Sequence, residues 1–201
     1  MFRTFILIVA LLAPPATTAV VTRLRQIPNR FAEVIPGRLY RGGYPSADNL
    51  RHLHQSNRIR TILSLTTPVD KPEERDLLAT ADALGVHALR IPMPGNGCGD
   101  FDDLDKAADV LNDADNWPVF FHCQAGKQRS SAVLAAYRMR QCGWGLDQAL
   151  KELEDRHDLN RDKESDLVKH LAAYEKHLAT NAPSRADRPA EQPVRNHANY
   201  R

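Results

Sequence analysis

The residues of this chain whose types and spacing could carry chemistry stand together at His122-Cys123-Gln124-Ala125-Gly126-Lys127-Gln128-Arg129-Ser130. A cysteine and an arginine bracket five residues, with a glycine at their centre. Before them runs the apolar stretch Pro118-Val119-Phe120-Phe121, and after them Ser131 to Met139, rich in helix formers. That context predicts a buried strand, a tight loop and a helix. A loop that opens a helix turns free backbone N–H groups inward, and the helix dipole adds partial positive charge, so the stretch makes an anion cradle. Gly126 allows a positive φ where a side chain would collide.

Each residue type then has a task. Cys123 facing such a cradle has its pKa pulled down and acts as a thiolate nucleophile. Arg129 offers a planar fork that grips two phosphate oxygens and cannot lose its proton. Its charge counts most for the equatorial oxygens of a phosphoryl group in flight. Gln124, Ala125, Gly126, Lys127, Gln128 and Arg129 together form the expected phosphate-binding set. Ser130 is placed to hydrogen-bond the sulfur as it departs. His122 reads as a brace rather than a base, because the cradle already makes the thiolate. Lys127 stays open between two readings: a second cation for polyanionic substrates, or a solvated lysine at a helix start. Covalent catalysis splits one displacement into two easier ones. Backbone and arginine supply the charge here, so no metal or other cofactor is called for.

Composition narrows the alternatives. The chain has 201 residues and a formal net charge of +2, enough for one domain with extensions and too neutral to argue for nucleic acid. Three cysteines (Cys98, Cys123, Cys142) without a CxxC, and eight scattered histidines, make neither a disulfide framework nor a zinc site. Cys142 reads as structural.

The elements that must position the cradle follow from the pattern. Residues 1–22 carry Arg3, the apolar run Phe5 to Leu12, then Pro14-Pro15 and Thr17-Thr18-Ala19. They read as an export signal, which places the domain in the periplasm or outside the cell. The alternative is an uncleaved membrane anchor over residues 4–22, barely long enough to span. A phosphatase-sized domain is expected over 23–180. Phe31 to Arg41 reads as a hairpin turning at Pro36-Gly37. Ser46 caps a helix over Ala47 to Gln55. Ile59 to Leu65 and Val86 to Ile91 are strands, separated by a helix from Pro72 that Gly85 stops. Pro92 to Asp100 is a loop, and Asp102 to Asp113 a helix whose first turn Asp102, Asp103 and Asp105 cap and charge. After the cradle's helix, which Gly143 ends, come helices over Leu146 to Arg156 and Arg161 to Ala179. Residues 181–201 are polar and proline-rich and are expected to be disordered. The alternation predicts an α/β fold, a mostly parallel central sheet flanked by helices, with the cradle at the carboxyl end of a central strand. Arg41 has two readings, a residue facing the cleft or one that pairs on the surface, and the second is preferred.

The loop resembles the His-Cys-x5-Arg-Ser/Thr phosphate loop of the cysteine-dependent protein tyrosine phosphatase superfamily. Leu39-Tyr40-Arg41-Gly42-Gly43-Tyr44-Pro45 is similar to the YRSGxP element of bacterial and atypical dual-specificity phosphatases. Thr61 to Leu65, Pro72-Glu73-Glu74 and Met93-Pro94-Gly95-Asn96 are similar to the plant and fungal members that act on inositol pyrophosphates, which also carry His-Cys-x-x-Gly-Lys-x-Arg. The likeness covers roughly residues 31–178 and departs at Gly97 to Asp102. It implies a dual-specificity phosphatase-like fold and a general acid on the loop before the cradle's own strand, here Pro92 to Asp103. Asp100 is the assigned acid, with Asp102 second. In that loop Cys98 could pair with Cys123, although an unpaired thiol is the preferred reading.

Together these readings give a monomeric phosphomonoester hydrolase of the protein tyrosine or dual-specificity type. The alternative substrates are inositol phosphates, inositol pyrophosphates or phosphoinositides, and the membrane enters only if residues 1–22 stay attached. Two rivals of other classes remain: a non-catalytic phosphate-binding module, and a sulfurtransferase, against which the spacing to Arg129 and Ser130 argues.

Overall fold

The computed structural model describes residues 27–181. The expected export segment and tail lie outside the described residues. Strands β1 (Ala32–Ile35) and β2 (Leu39–Gly42) form the expected hairpin, its turn made by Gly37 at φ 69°. Three further strands follow: β3 (Thr61–Ser64), β4 (His87–Arg90) and β5 (Val119–His122). The sheet order is β1-β2-β5-β3-β4; only the β1–β2 pair is antiparallel. β5 is therefore central, and its last residue, His122, lies between Gly42 and Ser64.

Among the described residues six α-helices cover the two faces: α1 (Ala47–Asn57), α2 (Pro72–Ala83), α3 (Phe101–Asn112), α4 (Gln128–Cys142), α5 (Leu146–His157) and α6 (Ser165–Asn181). Period-two alternation along the strands sorts the core. Tyr40, Ile62 and Phe120 face Leu50 and Leu53 of α1 and Leu77 and Ala81 of α2. Leu39, Leu63, Val119 and Phe121 face α3 to α6. Each such fully buried side chain contributes about 1.5–3 kcal/mol relative to exposure. α4 is buried continuously from Ser130 to Met139, and it runs through the larger cluster as the central helix. A forked ion pair from Arg138 to Glu152, at 2.7 and 2.6 Å, ties it to α5.

The expected caps appear at α1, where Ser46 and Asn49 make a reciprocal capping box, and at α2, where Pro72 stands in the first turn. Two helix starts differ from expectation. α3 begins at Phe101, one residue early, because Asp100 takes the N-cap position with its backbone carbonyl. α6 begins at Ser165 rather than Arg161, because the Asn160 side chain accepts the Lys163 N–H and holds residues 161–164 in turns. Among the described residues no helix is long and apolar enough to cross a membrane.

Candidate active site

The cradle leaves the end of β5 and closes on the start of α4. What fixes its shape is a set of donors behind it. The Gln124 carbonyl accepts from the Tyr44 N–H at 3.1 Å, and the Ala125 carbonyl from Arg30 Nη1 at 3.2 Å. The Gly126 and Lys127 carbonyls accept from Arg41 Nη2 at 2.9 and 3.4 Å, and the same nitrogen reaches Ser131 Oγ at 3.1 Å. With the carbonyls drawn outward, the amides turn inward, which is the polarity an anion requires.

Gly126 has φ 68°, and a Cβ there would stand 2.5 Å from the Gly42 carbonyl carbon and 2.6 Å from the Gly43 nitrogen. Both the conformation and the contact demand glycine. The Tyr-Arg-Gly-Gly-Tyr-Pro stretch after β1 is thus the wall on which the loop is built.

Arg41 corrects the sequence reading. It is not a surface residue: it is 1% exposed, and burial lowers its pKa to about 10 even though the nearby Cys123 charge raises it. It stays cationic at neutral pH and braces the loop from beneath.

Cys123 is 2% exposed. Burial pushes its thiol up, but the Ser130 hydroxyl, the Ser130 and Lys127 N–H groups and the Arg129 charge outweigh burial and hold it below its ordinary value. The buried Ser130 Oγ has no nitrogen or oxygen partner among the described residues, so the sulfur is the group it serves. Arg129 makes one long hydrogen bond, Nη1 to the Leu65 carbonyl at 3.4 Å, and its buried Nε has no partner among the described residues. A guanidinium so little engaged is suited to an oxyanion. His122 is fully buried, with Tyr44 edge-on at 5.3 Å and Phe120 stacked at 5.8 Å. Burial, helped by Arg90 and Arg129 and opposed by its contact to the Cys123 carbonyl, lowers its pKa to about 4. It is a neutral packing group at pH 7. Gln124 and Ala125 are exposed at the lip, and Gln128 is half-buried as the first residue of α4.

Lys127 is half-buried and ion-paired. Its Nζ lies 2.5 Å from Glu164 Oε1, with the two side chains 29% and 4% exposed. No sequence signal marks Glu164, which lies beyond two further helices, α4 and α5.

The loop after β4 sits against the cradle's helix. A Cβ on Gly97 (φ 81°) would stand 2.9 Å from the Gln128 carbonyl oxygen, so this glycine permits the close approach. Cys98 is a free thiol, as is Cys123; its N–H bonds to Asn96 Oδ1 at 3.1 Å. Asp100 is exposed, and its carboxylate makes no cap hydrogen bond, although its carbonyl accepts from the Asp103 and Leu104 N–H groups at 3.1 Å. Asp102 is exposed in the first turn, and Asp103 pairs with Lys106 at 3.3 Å. Neither caps the helix as expected, because the helix starts ahead of both. Asp105 instead accepts from Tyr174 Oη at 2.6 Å. Phe101 packs against His170, Tyr174 and His177 of α6, with centroids 5.1, 5.5 and 4.9 Å away, and so anchors the end of the loop.

A buried cysteine with a depressed pKa among inward amides, an uncommitted arginine and an unbound carboxylate on a neighbouring loop can carry out covalent phosphoryl transfer. Comparison with known proteins points the same way. The model of the tyrosine phosphatase family matches residues 26–188. The inositol diphosphatase SIW14 of Saccharomyces cerevisiae is 28% identical over 129 residues, 62% of this chain and 44% of that protein. The dual specificity protein phosphatase TpbA of Pseudomonas aeruginosa is 28% identical over 116 residues, 58% of this chain and 50% of that protein. The chain thus spans half or less of these two curated relatives. The crystal structure of P. aeruginosa TpbA superposes with a TM-score of 0.58 at 23% identity, covering 75% of this chain and 91% of that one, which shows the shared fold.

Proposed function

This chain belongs to the tyrosine phosphatase family, and on that premise we propose that it hydrolyses phosphomonoesters of proteins, acting as a tyrosine or dual-specificity phosphatase. The Cys123 sulfur attacks phosphorus while the inward amides of Gln124 to Arg129 and the Arg129 fork hold the equatorial oxygens. The S–P bond forms as the ester P–O bond breaks, and Asp100 delivers a proton to the departing oxygen. The Asp100 carboxylate then takes a proton from water, which attacks phosphorus. Inorganic phosphate leaves, and Ser130 stabilises the returning thiolate. Microscopic economy of this kind, one carboxyl serving as acid and then base, needs only that the group face both leaving oxygen and water.

The observation that carries the reading is the buried Cys123 thiol, held below its ordinary value by donors that all point to the sulfur. Acid quench during turnover of a phosphotyrosine peptide, followed by mass analysis of the peptide bearing Cys123, tests it. One phosphoryl group on Cys123 is expected. Tight binding of phosphate without turnover would instead support a binding module.

A second reading is hydrolysis of inositol phosphates, inositol pyrophosphates or phosphoinositides. The inositol diphosphatases among the relatives and the Gly126-Lys127 pair favour it. The engagement of Lys127 by Glu164 favours the protein substrates. We also propose export of the enzyme, on the strength of Arg3, the apolar run and the small residues that follow in the first 22 positions. Cell fractionation with N-terminal sequencing separates a cleaved signal from an anchor.

A further inference from the structure

We propose that Glu164 is a specificity-determining residue: it holds the Lys127 ammonium to itself, withholding a cation from the substrate side of the cradle and selecting for substrates that present a single phosphoryl group. The inference rests on the reading that the cradle binds phosphoryl groups.

Glu164 is built in. Its side chain is 4% exposed, and its second oxygen, Oε2, accepts the Asn160 N–H at 2.7 Å. The backbone around it is fixed as well. Asp158 adopts a left-handed turn at φ 58°, Asn160 Oδ1 accepts the Lys163 N–H at 2.9 Å, and the Glu164 N–H returns to the Asn160 carbonyl at 2.9 Å. α6 then begins at Ser165, so the carboxylate is set at a helix entrance. Burial pushes the carboxyl up, but Lys127 and the Asn160 N–H outweigh it and keep Glu164 ionised.

Consider a substrate with a second phosphate beside the first. To meet it, Lys127 must leave Glu164, and a buried carboxylate then loses its one ion-pair partner among the described residues, with only the charge of Lys163 still favouring it. Breaking a buried pair from one side is strongly unfavourable, because the remaining charge stays desolvated. The second phosphate gains one charge-assisted contact and forfeits another of the same kind. Glu164 also repels any additional anion brought near Lys127. Discrimination against the wrong ligand by an adverse charge is an ordinary route to specificity.

The test uses the full chain on a Cys123→Ser background, so that no probe is turned over. Orthophosphate and inorganic pyrophosphate are titrated by calorimetry, and the readout is the ratio of their dissociation constants. Wild-type Glu164 is expected to give comparable affinities. Glu164→Gln should shift the ratio toward pyrophosphate by about tenfold, the worth of one hydrogen bond to a charged group. The double variant Glu164→Gln with Lys127→Gln should cancel the shift. A ratio unchanged or reversed in Glu164→Gln overturns the proposal. So does a Lys127→Gln variant whose ratio moves away from pyrophosphate while Glu164 is intact. Because the ratio is taken on one preparation, partial unfolding of a variant does not move it. Turnover of para-nitrophenyl phosphate by the Cys123 protein is measured in parallel. Its absence, with the binding ratios as expected, overturns the phosphatase reading and leaves the Glu164 assignment standing. Failure to bind either anion overturns both.

Discussion

Between Gln124 and Lys127 every backbone carbonyl is tied by a donor from outside the loop, namely Tyr44, Arg30 and Arg41. Between Pro92 and Asp100 the ties are mostly internal: the Gly97 N–H to the Pro94 carbonyl at 2.9 Å and the Cys98 N–H to Asn96 Oδ1 at 3.1 Å. The first loop rests on Arg41, with Cys123, Gly126 and Ser130 buried; the second exposes Pro92, Pro94, Gly95, Asn96 and Asp100. The two loops have different work. A cradle stabilises charge only if its dipoles are already oriented when the charge develops. A proton donor needs reach, and its pocket has to admit a leaving group of variable size. Rigidity is therefore concentrated where preorganisation counts, while the proposed acid keeps an unbound carboxylate.

If the cradle carries the electrostatics, its substitutions should slow every substrate alike. The largest effect is expected for Cys123→Ser. A serine hydroxyl among the same amides is too weakly acidic to attack, so turnover should fall by about 10⁴-fold or more, as when other covalent catalysts lose their nucleophile. Phosphate binding should persist, because Arg129 and the amides remain. Substantial turnover by this variant, measured with para-nitrophenyl phosphate, would break the covalent mechanism. Arg129→Lys comes next. An ammonium is a point charge and cannot replace a bidentate fork, so a loss of about 10²–10³-fold in kcat/KM is expected, similar for all leaving groups.

The loop should behave differently, and leaving-group chemistry sharpens the contrast. A general acid matters most when the departing oxygen is strongly basic. Asp100→Asn should slow a phosphotyrosine or alkyl phosphate by about 10²-fold and para-nitrophenyl phosphate far less. Selective loss in Asp102→Asn instead would move the role to Asp102. Equal slowing of all leaving groups by Asp100→Asn would mean that the loop, too, acts by shaping the cradle.

The sequence disclosed these two loops unequally. The cradle was legible because its chemistry is local: nucleophile, glycine, arginine and serine follow one another between a strand and a helix. The sheet order was legible as a class, since alternating strands and helices favour parallel pairing. Arg41 was misread because a lone arginine on a short strand is usually solvated. The signal was present in the alternation, which places Arg41 on the same face as Leu39, and in Gly42-Gly43, whose consecutive small residues mark a close backbone approach. The start of α3 was misplaced because three aspartates compete for one cap, and only the backbone decides among them. Glu164 could not be found at all. Its partner is far away in sequence, and nothing in a turn of charged residues tells which one folds inward.

The finest test of the comparison is Arg41, which touches no substrate and serves the cradle in two ways. Its Nη2 nitrogen ties the Gly126 and Lys127 carbonyls and Ser131, and its charge lies near the Cys123 sulfur. Arg41→Met removes both. The buried Gly126 carbonyl is then left without this donor, a cost of about 1–3 kcal/mol. Part of it is offset, because a buried guanidinium is itself costly to desolvate and burial already lowers its pKa. The melting temperature should therefore fall only modestly. Thiol chemistry gives the clearer readout. In the wild type, burial raises the Cys123 pKa and the inward donors bring it below the ordinary thiol value. Its alkylation by iodoacetamide should thus rise with pH along a curve lying to the acid side of a free cysteine. Removing a nearby cation disfavours the thiolate, so in Arg41→Met the curve should move toward alkaline pH, and at neutral pH the rate should drop by up to about tenfold. Arg41→Lys separates the two services: it keeps the charge but loses the guanidinium Nη2 that reaches all three acceptors. It should hold the alkylation curve close to the wild-type position, while kcat/KM still falls because the carbonyls are no longer drawn outward together. If Arg41→Met leaves both the alkylation profile and turnover unchanged, the cradle holds its own shape without support from beneath, and the contrast between the two loops is lost.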